Sequence, residues 1–383
     1  MMFDESTEHE ALRETAAKIC SKFGDQYFRQ KIAENGDTHE LWEALGDAGL
    51  IGVNLPEEYG GGGAGITELA IVCEEAAASG TPLLLLLVSS AICGEILKEY
   101  GTAQQQQSWL PAMAAGTDKM VFAITEPDAG SNSRRISTQA RQDGGDWILS
   151  GTKYFITGVD EASHMLVVAR TAGAADGAGE MTLFVVDTDA PGLERSPIPV
   201  EVRAPEKQFT LVFDGVRIGD DRRVGGVGDG MNIVFQGLNP ERITGAAIEN
   251  GIARYALAKA SRYARERSVW GAPIGTHQGI SHQLAAAAVD VELARLMTAK
   301  AAWLHDERRS AGEASNMAKY AAAEAALKAL DAAIQTHGGN GMASEFGLAH
   351  LWGMTRLLKI APVSREMILN YVASHTLRLP RSY

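Results

Sequence analysis

Cysteine is scarce in this chain. Its three cysteines, Cys20, Cys73 and Cys93, are odd in number and far apart. That excludes a disulfide framework and a thiolate metal site, and it makes a reducing cytoplasm the expected compartment. The histidines show no metal-ligand spacing, so no metal is expected. Positive charge is in deficit, 35 Lys and Arg against 48 Asp and Glu, a net charge of −13. This balance argues against nucleic acid and anionic membrane surfaces as partners. It leaves room for an anionic ligand held by a local basic cluster. Long apolar runs are missing too. The most apolar stretch, Pro82 to Gly94, falls short of the ~20 residues a membrane span needs and reads as a buried helix. The N-terminal MMFDESTEHEALRETAAKIC is charged, without the apolar core of a secretory signal. No repeat of solenoid length is visible.

What is present falls into three textures. A length of 383 residues is long for one core and predicts two or three subdomains. Residues 1–119 read as helical, with Ala, Leu, Glu and Lys at helical spacing and breaks at Asn54-Leu55-Pro56 and Gly60 to Gly63. Residues 120–227 carry short β-branched and aromatic runs separated by Gly, Asp and Pro, as in a small antiparallel β domain. The stretch from Thr171 to Glu180 reads as an exposed hairpin loop. Residues 228–383 are helical again, with apolar periods over Ser281 to Leu304 and Ala314 to Gln335. The layout is α+β with segregated elements.

Composition does not name a function; local motifs point to one. Ala123 to Asn132, AITEPDAGSN, joins an apolar run to a Thr-Glu-Pro turn and then to Ala129-Gly130-Ser131. Such a loop lets backbone N–H groups and a hydroxyl come close to a planar or anionic ligand. Gly151 to Gly158, GTKYFITG, reads as a strand with an aromatic and a hydroxyl near its end. Farther on stand GLNPER (Gly237 to Arg242), YARERSVWGAPIGTHQGISHQLA (Tyr263 to Ala285) and QTHGGNG (Gln335 to Gly341).

Taken in order, these blocks resemble the acyl-CoA dehydrogenase family across nearly the whole chain. The resemblance implies an N-terminal all-α domain, a middle antiparallel β domain and a C-terminal four-helix bundle. It implies FAD as cofactor, an acyl-CoA substrate, an electron-transfer flavoprotein as electron acceptor, and a tetramer, homomeric or mixed with a related subunit. Carried over by residue, Thr125, Gly130 and Ser131 lie along the flavin, with Ser131 also toward substrate. Phe155 and Thr157 sit against the isoalloxazine, Phe155 where the family often has tryptophan. Arg267 and Gln278 reach the pyrophosphate or adenine half of FAD, with Trp270 beside them. A planar guanidinium suits phosphate oxygens because it pairs them bidentately. Gln335, Gly338 and Gly339 form the other half of that cradle, from a neighbouring subunit. On its own residues, the glycine turn also reads as a plain helix C-terminus.

The family reaction removes an α-proton with a carboxylate while the β-hydride passes to flavin. It needs a desolvated base and hydrogen-bond donors on the thioester oxygen. The usual base is a glutamate in a Tyr-Glu-Gly-Thr segment, which here reads Ala361-Pro362-Val363-Ser364. Ser364 joins the cofactor-binding set, and Ala361 leaves room in the acyl pocket. Pro362 supplies neither a carboxylate nor an N–H. Isovaleryl- and long-chain-type members carry the base on an earlier helix, immediately before an arginine. That place is Glu241-Arg242, with Glu241 as base and Arg242 toward substrate or orienting local structure. On the residues alone, Glu241 also reads as a solvated first-turn glutamate, with Asn239 as helix cap and Pro240 first in the helix. Arg134 and Arg135 read either as CoA-phosphate contacts or as solvated loop charges. Two alternatives to an active dehydrogenase are a flavin-binding subunit disabled by Pro362 and a flavin oxidase or monooxygenase on the same fold.

Overall fold

The computed structural model describes residues 5–171 and 180–381. The loop read at 171–180 therefore lies, apart from its two end residues, outside the described residues. The first part is helical: α1 Thr7–Cys20, α2 Gly24–Glu34, α3 His39–Asp47, α4 Ile66–Ala78, α5 Glu95–Tyr100 and α6 Ala103–Ala115. α6 shows how the sequence sets its limits. Thr102 and Gln105 form a capping box at its start, and Gly116 takes the left-handed conformation at its end. The apolar run is a buried helix, as its composition implies. From Leu86 to Gly94, however, it is π-helical before it continues as α5, a rare geometry concentrated at functional sites.

The middle part is one twisted sheet. Its strands are β1 Met120–Ala123, β2 Gln139–Asp143, β3 Asp146–Thr157, β4 His164–Thr171, β5 Met181–Asp187, β6 Leu193–Ile198, β7 Gln208–Gly219 and β8 Arg223–Val224. They lie in the order β6-β7-β3-β2-β4-β5-β8, with β1 also paired to β4. The antiparallel expectation holds for most pairings, but β1 and β2 both run parallel to β4. They do so because β3 intervenes and turns the chain before β4. β1 covers His164 to Val167 of β4 and β2 covers Arg170 and Thr171. The two strands thus lie end to end along one edge of β4, and residues 124–138 leave the sheet between them. That excursion carries the motif AITEPDAGSN.

The last part holds α7 Gly230–Glu266, a two-stranded hairpin of β9 Ser268–Val269 and β10 Ala272–Pro273, α8 Gln278–Asp306, α9 Gly312–His337, α10 Gly339–Met342, α11 Leu351–Ile360 and α12 Arg365–Tyr371. α7, α8 and α9 pack on one another; α11 and α12 fill the fourth place against α9, broken between them at 361–364. Asn239 and Pro240 do not begin a helix. α7 starts at Gly230 and runs through Pro240, which corrects the first-turn reading. Proline removes one N–H, but this stretch is packed on several sides, and Thr244 Oγ1 donates to the Pro240 carbonyl at 2.9 Å.

The helical parts are tied by charge as well as by apolar packing. Arg254 of α7 and Arg295 of α8 reach Glu74 of α4 at 2.7 and 2.8 Å. Asp306 at the end of α8 accepts from the N–H groups of Ile66 and Thr67 at 2.8 and 3.0 Å, capping α4, whose own cap residue is a glycine.

Candidate active site

The loop after β1 is held by one buried ion pair. Glu126 accepts from Lys153 Nζ and from Thr138 N–H, both at 2.9 Å, and from Ser137 N–H and Oγ, both at 2.7 Å. Burial alone would raise its carboxyl. The Lys153 ammonium and these donors outweigh it and hold the group at about 2. Lys153 also donates to the Ile124 carbonyl at 3.0 Å, and Tyr154 N–H to the Thr125 carbonyl at 2.8 Å. The two sequence blocks are thereby locked together, with Thr125 half-buried and Gly130 and Ser131 exposed at the loop's outer end. A Cβ added at Gly130 would meet no protein atom.

Phe155 follows directly. It sits at a register shift in β3, has φ of +55°, and leaves 49% of its surface exposed. A positive φ at an aromatic residue is strained and is tolerated where the surroundings impose it. Thr157, two residues on, donates to Gln208 Oε1 at 3.0 Å.

A second group lies at the far end of the bundle. Trp270, with φ of +52°, forms the tight turn of the β9–β10 hairpin with Gly271 and is 91% exposed. Arg267 and Gln278 flank it on the surface, and among the described residues the Arg267 guanidinium makes no ion pair. α9 ends nearby: His337 stacks on Tyr263 with ring centroids 4.2 Å apart, and Asn340 donates to the Tyr263 hydroxyl at 3.1 Å. Gly338 takes φ 59° and ψ −135°, which glycine alone adopts readily. Gln335, Gly338 and Gly339 are exposed. The glycine turn is thus a helix C-terminus that stands open to solvent.

The third group is interior. Glu241 is only 5% exposed, and its Oε2 has no hydrogen-bond partner. Burial pushes its carboxyl up to about 8, against the pull of Arg242 and of Lys319 on α9. The solvated-glutamate reading therefore fails. Arg242 is buried too, its Nη1 donating to Asn239 Oδ1 at 3.1 Å, so its firmest tie is local. Leu87 of the π-helical segment lies one turn on from Glu241, against Gly245. Lys319 Nζ donates to the Leu358 carbonyl of α11, just before the half-buried Ala361 and Pro362. Ser364 caps α12, accepting from Met367 N–H at 3.3 Å. A cavity of about 590 Å³ opens beside Asn239 and Pro240, lined also by Lys98, His305, Arg308 and Arg309.

Three family models match in sequence order: the acyl-CoA dehydrogenase N-terminal domain over residues 6–117, the middle domain over 121–216 and the C-terminal domain over 228–377. The acyl-CoA dehydrogenase FadE12 of Mycobacterium tuberculosis is 51% identical over 383 residues, covering 100% of this chain and 99% of the relative. The mitochondrial short-chain specific acyl-CoA dehydrogenase of Mus musculus is 34% identical over 98% of this chain and 91% of its own. The chain belongs to the acyl-CoA dehydrogenase family. It is an oxidoreductase that dehydrogenates acyl-CoA. The structure of butyryl-CoA dehydrogenase from Megasphaera elsdenii superposes with a TM-score of 0.94 at 26% identity, covering 99% of this chain and 100% of that one. A glutaryl-CoA dehydrogenase in complex with glutaryl-CoA gives 0.93 at 30% identity, over 100% and 98% of the two chains.

Members of the family bind FAD, and the FAD complex of PigA shares this fold with a TM-score of 0.93 at 25% identity, over 99% of this chain and 100% of that one. The residues of this acyl-CoA dehydrogenase fit such a group. A Cβ added at Gly130, Gly338 or Gly339 would meet nothing, so the space beside these glycines is open to a ligand. Phe155 presents a ring beside Thr157, and Arg267 presents a free planar cation suited to phosphate. Within one chain no hydrogen bond or ion pair joins the loop group to the bundle-end group among the described residues. The buried groups Lys319 and Glu249 near Glu241 escaped the sequence reading. A charged residue in an alanine-rich helix reads as a solvated position until the packing of α7 and α9 is known. No group of three or more metal-ligating side chains occurs among the described residues, and none of their helices is long and apolar enough to cross a membrane.

Proposed function

We propose that this acyl-CoA dehydrogenase uses Glu241 as the base that takes the α-proton of its acyl thioester. The observation that carries this reading is a carboxyl enclosed by the bundle with one oxygen unpartnered. A weakly acidic α-proton calls for a desolvated base whose pKa lies near the working pH. The position at 362, where the family commonly places its glutamate, is a proline. Arg242 and Lys319 supply the positive charge that lets the carboxyl ionise at all. FAD bound along Thr125, Gly130, Ser131, Phe155, Thr157 and Ser364 would supply the hydride acceptor. The pyrophosphate and adenine half would lie on Arg267, Trp270 and Gln278, with Gln335, Gly338 and Gly339 contributed by a neighbouring subunit. Electrons would then pass to an electron-transfer flavoprotein.

Pro362 offers no N–H to the thioester oxygen. Removing one such donor costs about 2.7–4 kcal/mol of transition-state stabilisation, so another group has to take its place or turnover is slow. Ala361 leaves room beside the reacting carbons, which favours a branched, cyclic or otherwise bulky acyl group over a slim straight chain. Ser131, Arg242 and Ala361 are the substrate-side residues of this reading, and the domains divide at 119/120 and 227/228. A stripe on α8, Val289, Leu293 and Leu296, exposed by 59, 60 and 43%, supports assembly into a tetramer. A reducing cytoplasm is the proposed location.

The test is anaerobic bleaching of bound flavin by acyl-CoA. Wild type should bleach, and Glu241→Gln should bind flavin and stay yellow, slowed at least ~10²-fold as expected for loss of a general base. Unchanged bleaching in Glu241→Gln removes it from the mechanism. A chain that takes up flavin but bleaches with no thioester belongs to the non-catalytic subunit reading.

A further inference from the structure

Lys319 has no place in the flavin cradle, yet it is among the largest fully buried side chains of the molecule. Its stem lies over Gly245, where an added Cβ would stand 3.4 Å from Lys319 Cε and 3.7 Å from Cδ. Gly245 is one helical turn past Glu241 and one turn before Glu249, so the three positions share a face of α7. Glu249 is fully buried, and neither of its carboxyl oxygens has a hydrogen-bond partner. One buried cation thus lies against the helix face that carries two buried carboxyls. There a carboxyl without a countercharge takes up a proton.

Every packed element contributes to the balance. On α7, Arg242 also faces Glu241, but its guanidinium is tied to Asn239 at 3.1 Å. Cys93 of the π-helical segment faces Glu241 as a neutral thiol, its own ionisation suppressed by burial. On α11, Lys359 faces Glu249 but is paired with Glu324 of α9 at 2.8 Å, and Arg365 of α12 shares that glutamate at 2.7 Å. Tyr371 of α12 faces Arg242. Among the described residues Lys319 makes no ion pair with another carboxylate; burial lowers its own pKa to about 8 against the pull of Glu249 and Glu241. Burial drives Glu249 far above the usual carboxylate range, which leaves it a neutral acid.

We propose that Lys319 is the positioning residue whose charge eases the ionisation of Glu241 for proton abstraction, with the buried Glu249 on its other side. This rests on the reading of Glu241 as base. The ammonium acts through Glu241 and does not touch substrate. Its hydrogen bond to the Leu358 carbonyl fixes where the charge stands relative to the chain that leads to Pro362.

The test is the pH profile of kcat/KM for flavin bleaching in the flavin-loaded enzyme. Lys319→Gln keeps a donor for the Leu358 carbonyl and loses the charge. Its acidic limb should rise by about one pH unit or more, the effect of removing a nearby opposite charge. Below the wild-type limb, bleaching should then fall at least ~10-fold. A flavin-bound Lys319→Gln enzyme with an unmoved limb overturns the proposal. If that variant does not hold flavin, Lys319→Met is measured in the same way; loss of flavin in both assigns Lys319 to the fold alone and also overturns it. Glu241→Gln separates the two ideas. If it still bleaches, the base reading fails; if it is inert while the Lys319→Gln limb stays put, only the present inference fails.

Discussion

Glu206 shows what one buried carboxyl does to this protein. Its Oε1 accepts from the Leu84 N–H at 2.8 Å, and its Oε2 has no partner. Burial, with Glu161 adding to it and Lys119 opposing, pushes the group from 4.5 up to about 7. A folded-state value above the unfolded one means that this residue's contribution to stability is full below about 4.5. It is lost as pH rises through about 7. Glu206→Gln keeps the acceptor for Leu84 and cannot ionise. The variant should match wild type near pH 5 and exceed it at pH 8 by on the order of 1–3 kcal/mol, read by thermal melts at the two pH values. An equal decline in both proteins would remove Glu206 as the cause. At this scale the sequence singled out Thr125, Phe155 and Thr157 because they stand in motif blocks. It was silent on Lys319, Glu249 and Glu206, because charge at those positions reads as surface until the packing of α7, α9 and the Leu84 turn is known. Glu126 and Lys153 lay inside the two motif blocks, but nothing in the blocks said that they pair.

At the scale of elements, α7 organises the molecule. It crosses α4 at Gly251, where an added Cβ would stand 2.3 Å from the Glu74 carbonyl oxygen and 2.6 Å from Ala77 Cβ. Gly251→Ala must push α4 and α7 apart, at a cost of about 1–3 kcal/mol, and should lower the melting temperature. A neutral effect would show that the two helices yield freely. The apolar period marked the bodies of α8 and α9 well, because one face of each is buried. Helix ends were less legible. Asn239-Pro240 has the chemistry of a helix start, yet tertiary packing carries α7 straight through it. The parallel pairing of β1 and β2 with β4 was not legible at all, since alternation within a strand says nothing about the direction of its neighbour.

On the proposed reading each chain carries the parts of a flavin site without closing it. The sheet presents the loop group, the bundle end presents Arg267 and the glycine turn, and the exposed apolar stripe of α8 offers a surface for assembly. Leu293→Asp, placed in that stripe, should shift the particle to smaller mass in light scattering and weaken flavin retention together. A variant of reduced mass that keeps its flavin would contradict a cradle shared between subunits. The order helix, sheet, helix was readable from texture alone, because the switch from helical to β-rich composition is abrupt at both ends of the sheet. The proposed association of chains came from the family resemblance, not from composition or periodicity.

The central claim is that Glu241, not the segment around Pro362, performs proton abstraction. Its most direct measurement is anaerobic flavin bleaching by a panel of straight, branched and cyclic acyl-CoA thioesters, with wild type and Glu241→Gln side by side. The account predicts that wild type bleaches fastest with a branched or cyclic thioester, with an acidic limb near pH 8, and that flavin-loaded Glu241→Gln stays oxidised with every thioester. Bleaching of Glu241→Gln at the wild-type rate would contradict it.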